Sequence, residues 1–408
     1  MIQNLSRPEE HLELGEAARA FQLEVREWLA ENAPEELRSV EVGIMRRPRG
    51  EAKRLLDAWA DTLHEAGYMC VAWPTEYGGR GLTAVEVALL NEEFHRAGVP
   101  RITRAMGEQL VGPSIIAHGT DEQKAYFLPR IIDGTDRYCQ GFSEPNAGSD
   151  LASLRTRAVI DGDELVINGQ KVWTSNWWSA NMMFCLCRTD EEAPKHKGIS
   201  YVLIPLEVDG ERNGVEFRPI KQMTGEGHFA ETFITDARAP LFNVVGGLNN
   251  GWRVAMTTLG FERGGNATTQ YAQFEQEFWR LVDLARERGK LDDPVWRERL
   301  AWAYSNVEVM RYGGLRLLNA LAAGREPGAG ASASANKIRW TEYERRLAEL
   351  ALELVGPEAL EVGDDYKLSG WQQTFLHTRT HVIWGGTAEI QRNIIAEREL
   401  GLPKEARG

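Results

Sequence analysis

Cysteine is scarce in this chain. Four among 408 residues (Cys70, Cys139, Cys185 and Cys187) are too few to build a disulfide scaffold at this length. Cys185-Leu186-Cys187 offers half a metal site, but no second Cys/His cluster completes a ligand set, and Met183-Phe184-Cys185-Leu186-Cys187 suits a buried strand. Buried thiols, no metal and a reducing, cytoplasmic compartment are therefore expected. Long apolar runs are lacking too: none approaches the roughly 18 residues that cross a bilayer. Residues 1–7 lack the basic and apolar regions of a secretory signal. Positive charge is in deficit, with 47 Lys and Arg against 60 Asp and Glu and a net charge of -13. That balance argues against nucleic acid or an anionic membrane as the main partner. There are no internal repeats. The glycine-dense loop Trp73–Gly81 has the spacing of neither a P-loop nor a Rossmann turn, so a packing role is expected for it.

With 43% apolar and 26% charged residues, the chain has the composition of a folded globular protein and enough length for two or three domains. The first third reads as helices. Leu14, Ala17, Phe21, Val25 and Trp28 share one face, and Leu55, Leu56, Trp59 and Leu63 repeat the pattern up to a stop at Gly67. Thr83 with Glu86 signals a capping box for a helix through Leu90 and Phe94 that ends at Gly98. Near Asp136 the character changes to short β-prone runs: Arg137–Phe142, Leu154–Ile160, Glu164–Ile167, Met182–Cys187, Ile199–Pro205, Val215–Pro219 and Phe229–Thr235. Asp161-Gly162-Asp163 and Asn168-Gly169 read as turns between them. After Gly251 helical periodicity returns, with Phe278, Leu281, Val282 and Ala285 on one helix and Tyr343, Leu347, Leu350, Ala351 and Leu354 on another. Pro327–Ser332 is a small-residue connector. The expectation is an α+β protein: a helical N-terminal domain (1–135), a β-barrel-like middle domain (136–245) and a C-terminal helical bundle (246–408).

Three stretches carry chemistry. Gly141-Phe142-Ser143-Glu144-Pro145-Asn146-Ala147-Gly148-Ser149-Asp150 follows a strand, and its N–H groups and hydroxyls suit a carbonyl-rich ring or a phosphate. It suits a structural Asx/ST turn equally well. Asn168–Asn176 places an indole, Trp173, beside the hydroxyls of Thr174 and Ser175, which fits the face and edge of a flavin; a buried strand tryptophan is the simpler reading. Leu259-Gly260-Phe261-Glu262-Arg263-Gly264-Gly265 continues a helix whose apolar face is Val254, Ala255, Thr258 and Leu259. Its glycines cost helix stability, about 1 kcal/mol each, unless something approaches the backbone closely. Alone it reads as a surface Glu–Arg pair beside packing glycines.

Together these stretches strongly resemble the acyl-CoA dehydrogenase family. The resemblance runs in order through Trp73–Leu82, His118–Lys124, Ser143–Asp150, Lys171-Val172-Trp173, Phe261-Glu262-Arg263 and Trp384–Arg392. It implies FAD held between the β domain and the C-terminal bundle, and removal of two hydrogens from the α and β carbons of an acyl-CoA thioester. By the same resemblance, Phe142, Ser143, Trp173 and Ser175 contact the flavin ring, Ser149 meets FAD phosphate or the CoA chain, and Thr387 and Glu389 hold the adenosine half. Many members carry the catalytic glutamate before a Gly-Thr pair near the C-terminus, where this chain has Gly385. A smaller group, resembling isovaleryl-CoA dehydrogenase, places it on the earlier helix before an arginine. That residue is Glu262 here, with Arg263 beside the substrate. Gly385 then donates its N–H to the thioester oxygen, together with a flavin ribityl hydroxyl.

The resemblance also implies an electron-transfer flavoprotein as electron acceptor and a homodimer or homotetramer. Two departures touch the inter-subunit half of the flavin site. Arg286-Glu287-Arg288-Gly289-Lys290 lacks the phenylalanine of the family's Arg-x-x-Phe-Gly run, and Val355–Ala359 replaces a Phe-Gly-Gly-x-Gly turn. Both resemble a bacterial branch acting on bulky or steroid-derived acyl-CoAs, some of whose members are heteromers, so a heterotetramer stays open. So do an oxidase or flavin monooxygenase of the same fold and a non-catalytic partner subunit.

Overall fold

The structure, a computed structural model of the chain, describes residues 15–39, 48–264, 271–322 and 331–404. Its helices are α1 (Glu16–Asn32), α2 (Gly50–Glu65), α3 (Ala84–Ala97), α4 (Gly112–His118), α5 (Asp121–Ile132), α6 (Gly251–Gly264), α7 (Tyr271–Glu287), α8 (Pro294–Ala322), α9 (Ala331–Val355), α10 (Gly370–His381) and α11 (Ala388–Ile394). Its strands are β1 (Tyr138–Gly141), β2 (Arg157–Asp161), β3 (Glu164–Ser175), β4 (Met182–Arg188), β5 (Ile199–Pro205), β6 (Glu207–Val208), β7 (Glu211–Arg212), β8 (Val215–Ile220), β9 (Phe229–Pro240) and β10 (Val244–Val245). The chain divides into two compact units. One gathers residues up to 38, 83–101 and 263 onward; the other gathers 39–82 and 102–262. Helices α1 and α3 thus group with α7 to α11, while α2, α4, α5 and α6 group with the strands. Leu14 and most of the 327–332 connector lie outside the described residues.

The strand unit is built on one eight-stranded sheet in the order β10-β5-β4-β2-β3-β9-β8, with β1 also paired to β4. Period-2 alternation turns Leu165 and Ile167 of β3, Cys185 and Cys187 of β4, Val202 and Ile204 of β5 and Ala237 and Ala239 of β9 into a single core. Val244 and Val215, from the two end strands of that order, join the same core, as in a sheet rolled on itself. Two strands outrun their sequence expectation. β3 passes straight through Asn168-Gly169 to Ser175, because Asn168 bonds Asp236 of β9 through both its amide groups, each at 2.9 Å. A Cβ at Gly169 would lie only 2.6 Å from the Thr156 hydroxyl, so the glycine serves close packing rather than a turn. β9 likewise runs on to Pro240, and β2 starts later than expected, at Arg157.

The capping box of Thr83 and Glu86 is formed, and α3 ends at Gly98 with φ 69°. In the helical unit, α1 is joined to α3 through Glu93, which is buried and accepts from Gln22 Nε2 at 2.8 Å and from Arg26 Nε and Nη2 at 2.9 Å. The bundle core is Phe274, Phe278, Leu281, Val282 and Ala285 of α7, Trp296 to Met310 of α8, and Tyr343 to Leu354 of α9. Among the described residues no helix is long and apolar enough to cross a membrane.

Within this bundle lie Glu344 of α9, which is buried, and Glu277 of α7, which is partly buried. Burial pushes Glu277 up to about 8, with Glu344 adding to it, and pushes Glu344 up to about 8 as well. Burial also holds His381 down to about 4, and Lys337 adds to that shift. At neutral pH a protonated Glu344 therefore faces a neutral imidazole, with Oε2 2.5 Å from His381 Nδ1. The folded unit retains protons that an unfolded chain, with carboxyl values of about 4.3, has already released. Stability from the two acids is complete below that value and is lost as pH rises to about 8, while the lowered His381 acts in the opposite sense up to its usual value of 6.5 and offsets only part of that fall. Thermal unfolding measured from pH 5 to pH 8.5 is expected to show a falling midpoint across that window, and Glu344→Gln to flatten the fall.

Candidate active site

On β3, Leu165, Ile167 and Lys171 are buried at odd-numbered positions. Strict alternation would bury Trp173 too. It does not, because the register with β9 shifts between Lys171, opposite Thr232, and Thr174, opposite Ala230. One extra residue on β3 makes this a bulge. Trp173 takes φ 64° there, a backbone conformation that bulky residues rarely adopt. As a result Thr174 faces inward, its hydroxyl 2.8 Å from that of Thr232, and the indole is left 56% exposed. Phe229 meets it edge-on at 6.2 Å. Holding a large apolar ring out on such a backbone costs of order 1–3 kcal/mol, and strain of this kind persists only where the surrounding structure fixes it.

Ser143 stands next to this bulge, its carbonyl accepting from the Val172 N–H at 2.9 Å. Ser175, two residues beyond Trp173, donates weakly to the Trp173 carbonyl at 3.5 Å. The structure therefore brings Ser143, Trp173 and Ser175 together. Phe142 is different: its ring is buried, packed edge-on against Phe184 at 5.5 Å and Tyr201 at 6.1 Å, and does not face the bulge with the other three. Ser149 is exposed beyond a turn closed by reciprocal bonds between Glu144 and Ala147 at 3.1 and 3.0 Å. A hollow of about 280 Å³ beside that turn is lined by Glu144, Asn146, Arg155 and Gln170, among others, but by none of the three clustered residues.

What holds the Ser143 turn is a buried ion pair. Lys171 Nζ, fully buried, donates to Glu144 Oε1 at 2.9 Å, to the Leu186 carbonyl at 2.8 Å and to the Phe142 carbonyl at 3.2 Å. Glu144 also accepts from the Arg155 and Thr156 N–H groups at 2.7 and 2.8 Å and from the Thr156 hydroxyl at 2.6 Å. Burial by itself would raise the Glu144 carboxyl. Lys171 and these donors outweigh it and hold the group below the usual carboxylate range. Neither residue was a candidate from sequence, although a lysine at an inward-facing position of a strand signals a buried partner.

Helix α6 starts against the sheet: a Cβ at Gly251 would lie 2.3 Å from the Ser200 and Tyr201 backbone. Val254, Ala255 and Thr258 are fully buried, and the Thr258 hydroxyl lies 2.7 Å from that of Ser114 on α4. Position 262 follows Thr258 by one turn of this helix. The side chains of Glu262 and Arg263 lie outside the described residues.

In the helical unit, Gly385 and Gly386 form a turn with φ 61° and 95°, where a side chain at either position would be strained. The Gly385 carbonyl accepts from Gln391 Nε2 at 2.9 Å and the Gly386 carbonyl from Lys337 Nζ at 2.8 Å. Thr387 caps α11 by accepting from the Ile390 N–H. The carboxylate of Glu389 is held below its usual range by its own N–H and by the Thr387 hydroxyl. Thr387 and Glu389 therefore face each other at the start of one helix.

Models of the N-terminal, middle and C-terminal domains of acyl-CoA dehydrogenases match residues 15–135, 139–237 and 249–400. Acyl-CoA dehydrogenase IpdE1 of Mycobacterium tuberculosis is 44% identical over 95% of this chain and 98% of its own length. The IpdE1 of Mycolicibacterium smegmatis is 41% identical over 95% and 98%. Among solved structures, the Tcur3481-Tcur3483 steroid ACAD is similar at a TM-score of 0.79 and 33% identity, covering 96% of this chain and 99% of that one. The ChsE4-ChsE5 complex of Mycobacterium tuberculosis is similar at 0.78 and 30%, covering 97% and 100%.

Removing one partner of a fully bonded buried pair strands the other. Lys171→Met is expected to destabilise the strand unit by about 3–5 kcal/mol, whereas Lys171→Met with Glu144→Leu recovers part of the loss. Chemical denaturation followed by tryptophan fluorescence measures both.

Proposed function

The chain belongs to the acyl-CoA dehydrogenase family, and from that premise we propose that it binds FAD, converts an acyl-CoA thioester to the 2-enoyl-CoA with Glu262 as base, and passes the electrons to an electron-transfer flavoprotein. The observation that carries the reading is Trp173, an exposed indole on a strained bulge, with Ser143 tied to the neighbouring Val172 through its backbone carbonyl and the Ser175 hydroxyl 3.5 Å from the Trp173 carbonyl. A planar ring with a polar edge fits that arrangement. Trp173, Ser143, Ser175 and the Phe142 backbone would hold the flavin ring, and Thr387 and Glu389 the adenosine half. Ser149 would meet phosphate or the CoA chain, and Arg263 the substrate. When bound, FAD supplies the acceptor for the hydride that leaves the β carbon.

Glu262 takes the α proton. That proton is weakly acidic, so a carboxylate in a dry site, with its affinity for protons raised, serves best. The Gly385 N–H donates to the thioester oxygen as negative charge gathers there. The four cysteines are free and buried, which suits a reducing, cytoplasmic compartment. A 33% identical relative is described as a steroid ACAD, and this supports a bulky, ring-bearing acyl group as substrate. We include an oligomer in the proposal, homomeric or heteromeric; the ChsE4-ChsE5 relative is a two-protein complex.

Purified protein, alone or with a co-expressed partner, is expected to be yellow with FAD. Ring-bearing acyl-CoAs should bleach the flavin faster than linear ones, and the reduced, product-bound protein should react slowly with oxygen. Rapid stoichiometric peroxide formation would instead identify an oxidase. Glu262→Gln should keep FAD and acyl-CoA binding and lose about 10²–10⁴-fold in bleaching rate, measured by stopped-flow absorbance. Bleaching at the wild-type rate would show that the base lies elsewhere.

A further inference from the structure

Lys337 of α9 is 7% exposed, which is unusual for a lysine, and its ammonium donates to two backbone carbonyls. One is that of His381 at 2.9 Å, the other that of Gly386 at 2.8 Å. His381 closes α10, so its carbonyl belongs to the helix end that lacks intrahelical donors and favours a cation. Gly386 lies in the turn that follows. A single ammonium thus joins two points five residues apart, and Gly385 lies between them.

We propose that Lys337 is a positioning residue: by bridging the carbonyls of His381 and Gly386 it sets the turn that presents the Gly385 N–H to the thioester oxygen. The proposal rests on the reading of Gly385 given above. Its physical basis is the glycine pair. Gly385 and Gly386 at φ 61° and 95° have more alternative backbone states than any other residue pair would have, so an N–H held in one direction needs restraint from outside the turn. Lys337 supplies it on one side and Gln391, holding the Gly385 carbonyl, on the other. Trp384, which precedes the pair, is stacked on His381 at 5.0 Å and 15°, and that imidazole is itself bonded to Glu344. A hydrophobic side chain would fill the Lys337 site as well by volume. What it would lack is the donors for the two carbonyls.

Lys337→Met tests this in the FAD-loaded protein, with the ring-bearing or linear acyl-CoA that bleaches the wild-type flavin fastest. Removing an oxyanion-stabilising donor costs roughly 10²–10³-fold in kcat, and misplacing one is expected to cost about 10- to 100-fold, with KM changed by less than about threefold. In ligand-free protein, hydrogen exchange of the 382–388 backbone amides should rise at least about tenfold while α7 and α8 keep their protection. Lys337→Ala should regain part of its kcat with added ethylammonium. A wild-type kcat in folded Lys337→Met overturns the proposal, whether or not the turn loosens. So does faster exchange spread evenly over the bundle, which would mean a general structural role. Should Lys337→Met not fold, the same two measurements on Lys337→Gln decide. A wild-type bleaching rate in Glu262→Gln would count against the base assignment, whereas an inactive Glu262→Gln beside a fully active Lys337→Met counts against this inference alone.

Discussion

The strand unit depends on the contact between Lys171 and Glu144. Two charges removed from water cost several kcal/mol each unless every proton and lone pair finds a partner. Here the three ammonium donors meet three oxygens, and the carboxylate accepts four bonds. Those partners come from four segments: the turn after β1, the approach to β2, β3 itself and β4. A pair of this kind is a poor source of net stability compared with a packed apolar core. It is a strong source of specificity, because any other arrangement of the four segments strands a charge. The turn that carries Ser143 is fixed as a consequence.

With that turn fixed, the bulge at Trp173 can be read as its complement. β3 must put Lys171 inward for the ion pair and Thr174 inward for the hydroxyl contact with Thr232. They are three positions apart, an odd number, and a regular strand cannot turn both to the same side. The extra residue is the one that leaves the sheet alternation, and it is the tryptophan. Backbone strain at Trp173 is thus maintained by the surrounding hydrogen bonds rather than by the residue's own preference.

The helical unit solves a similar problem with a different device. A turn of two glycines between α10 and α11 has no side chains to hold it, so the restraint comes from Lys337 and Gln391. Around Lys337 the bundle keeps Glu344 protonated and His381 neutral, which spares the unit the cost of burying more ionised groups. A lysine at a helix C-terminus also gains from the aligned carbonyls of that end.

The sequence alone determined the order helix, sheet, helix, most strand positions and the family. It marked the capping box at Thr83 and Glu86 and the core faces of α7 and α9, and the structure has all of them. These are short-range properties: periodicity, capping and turn chemistry depend on residues a few positions apart. Ser143, Trp173 and Ser175 were legible as residue types suited to a flavin, but that Ser143 lies beside the other two was not. The tertiary structure alone decided that β3 runs through Asn168-Gly169, that Trp173 turns outward, and that α1 and α3 group with the C-terminal helices. It also decided that Lys171 and Lys337 are buried and what each one holds. Each of these turns on which strand or carbonyl lies opposite a given residue, and the partner is often tens of positions away: Glu144 for Lys171, Asp236 for Asn168, Gly386 for Lys337. Alternation along a strand gives the side on which a residue falls only until a bulge intervenes, and a bulge is set by the neighbouring strand.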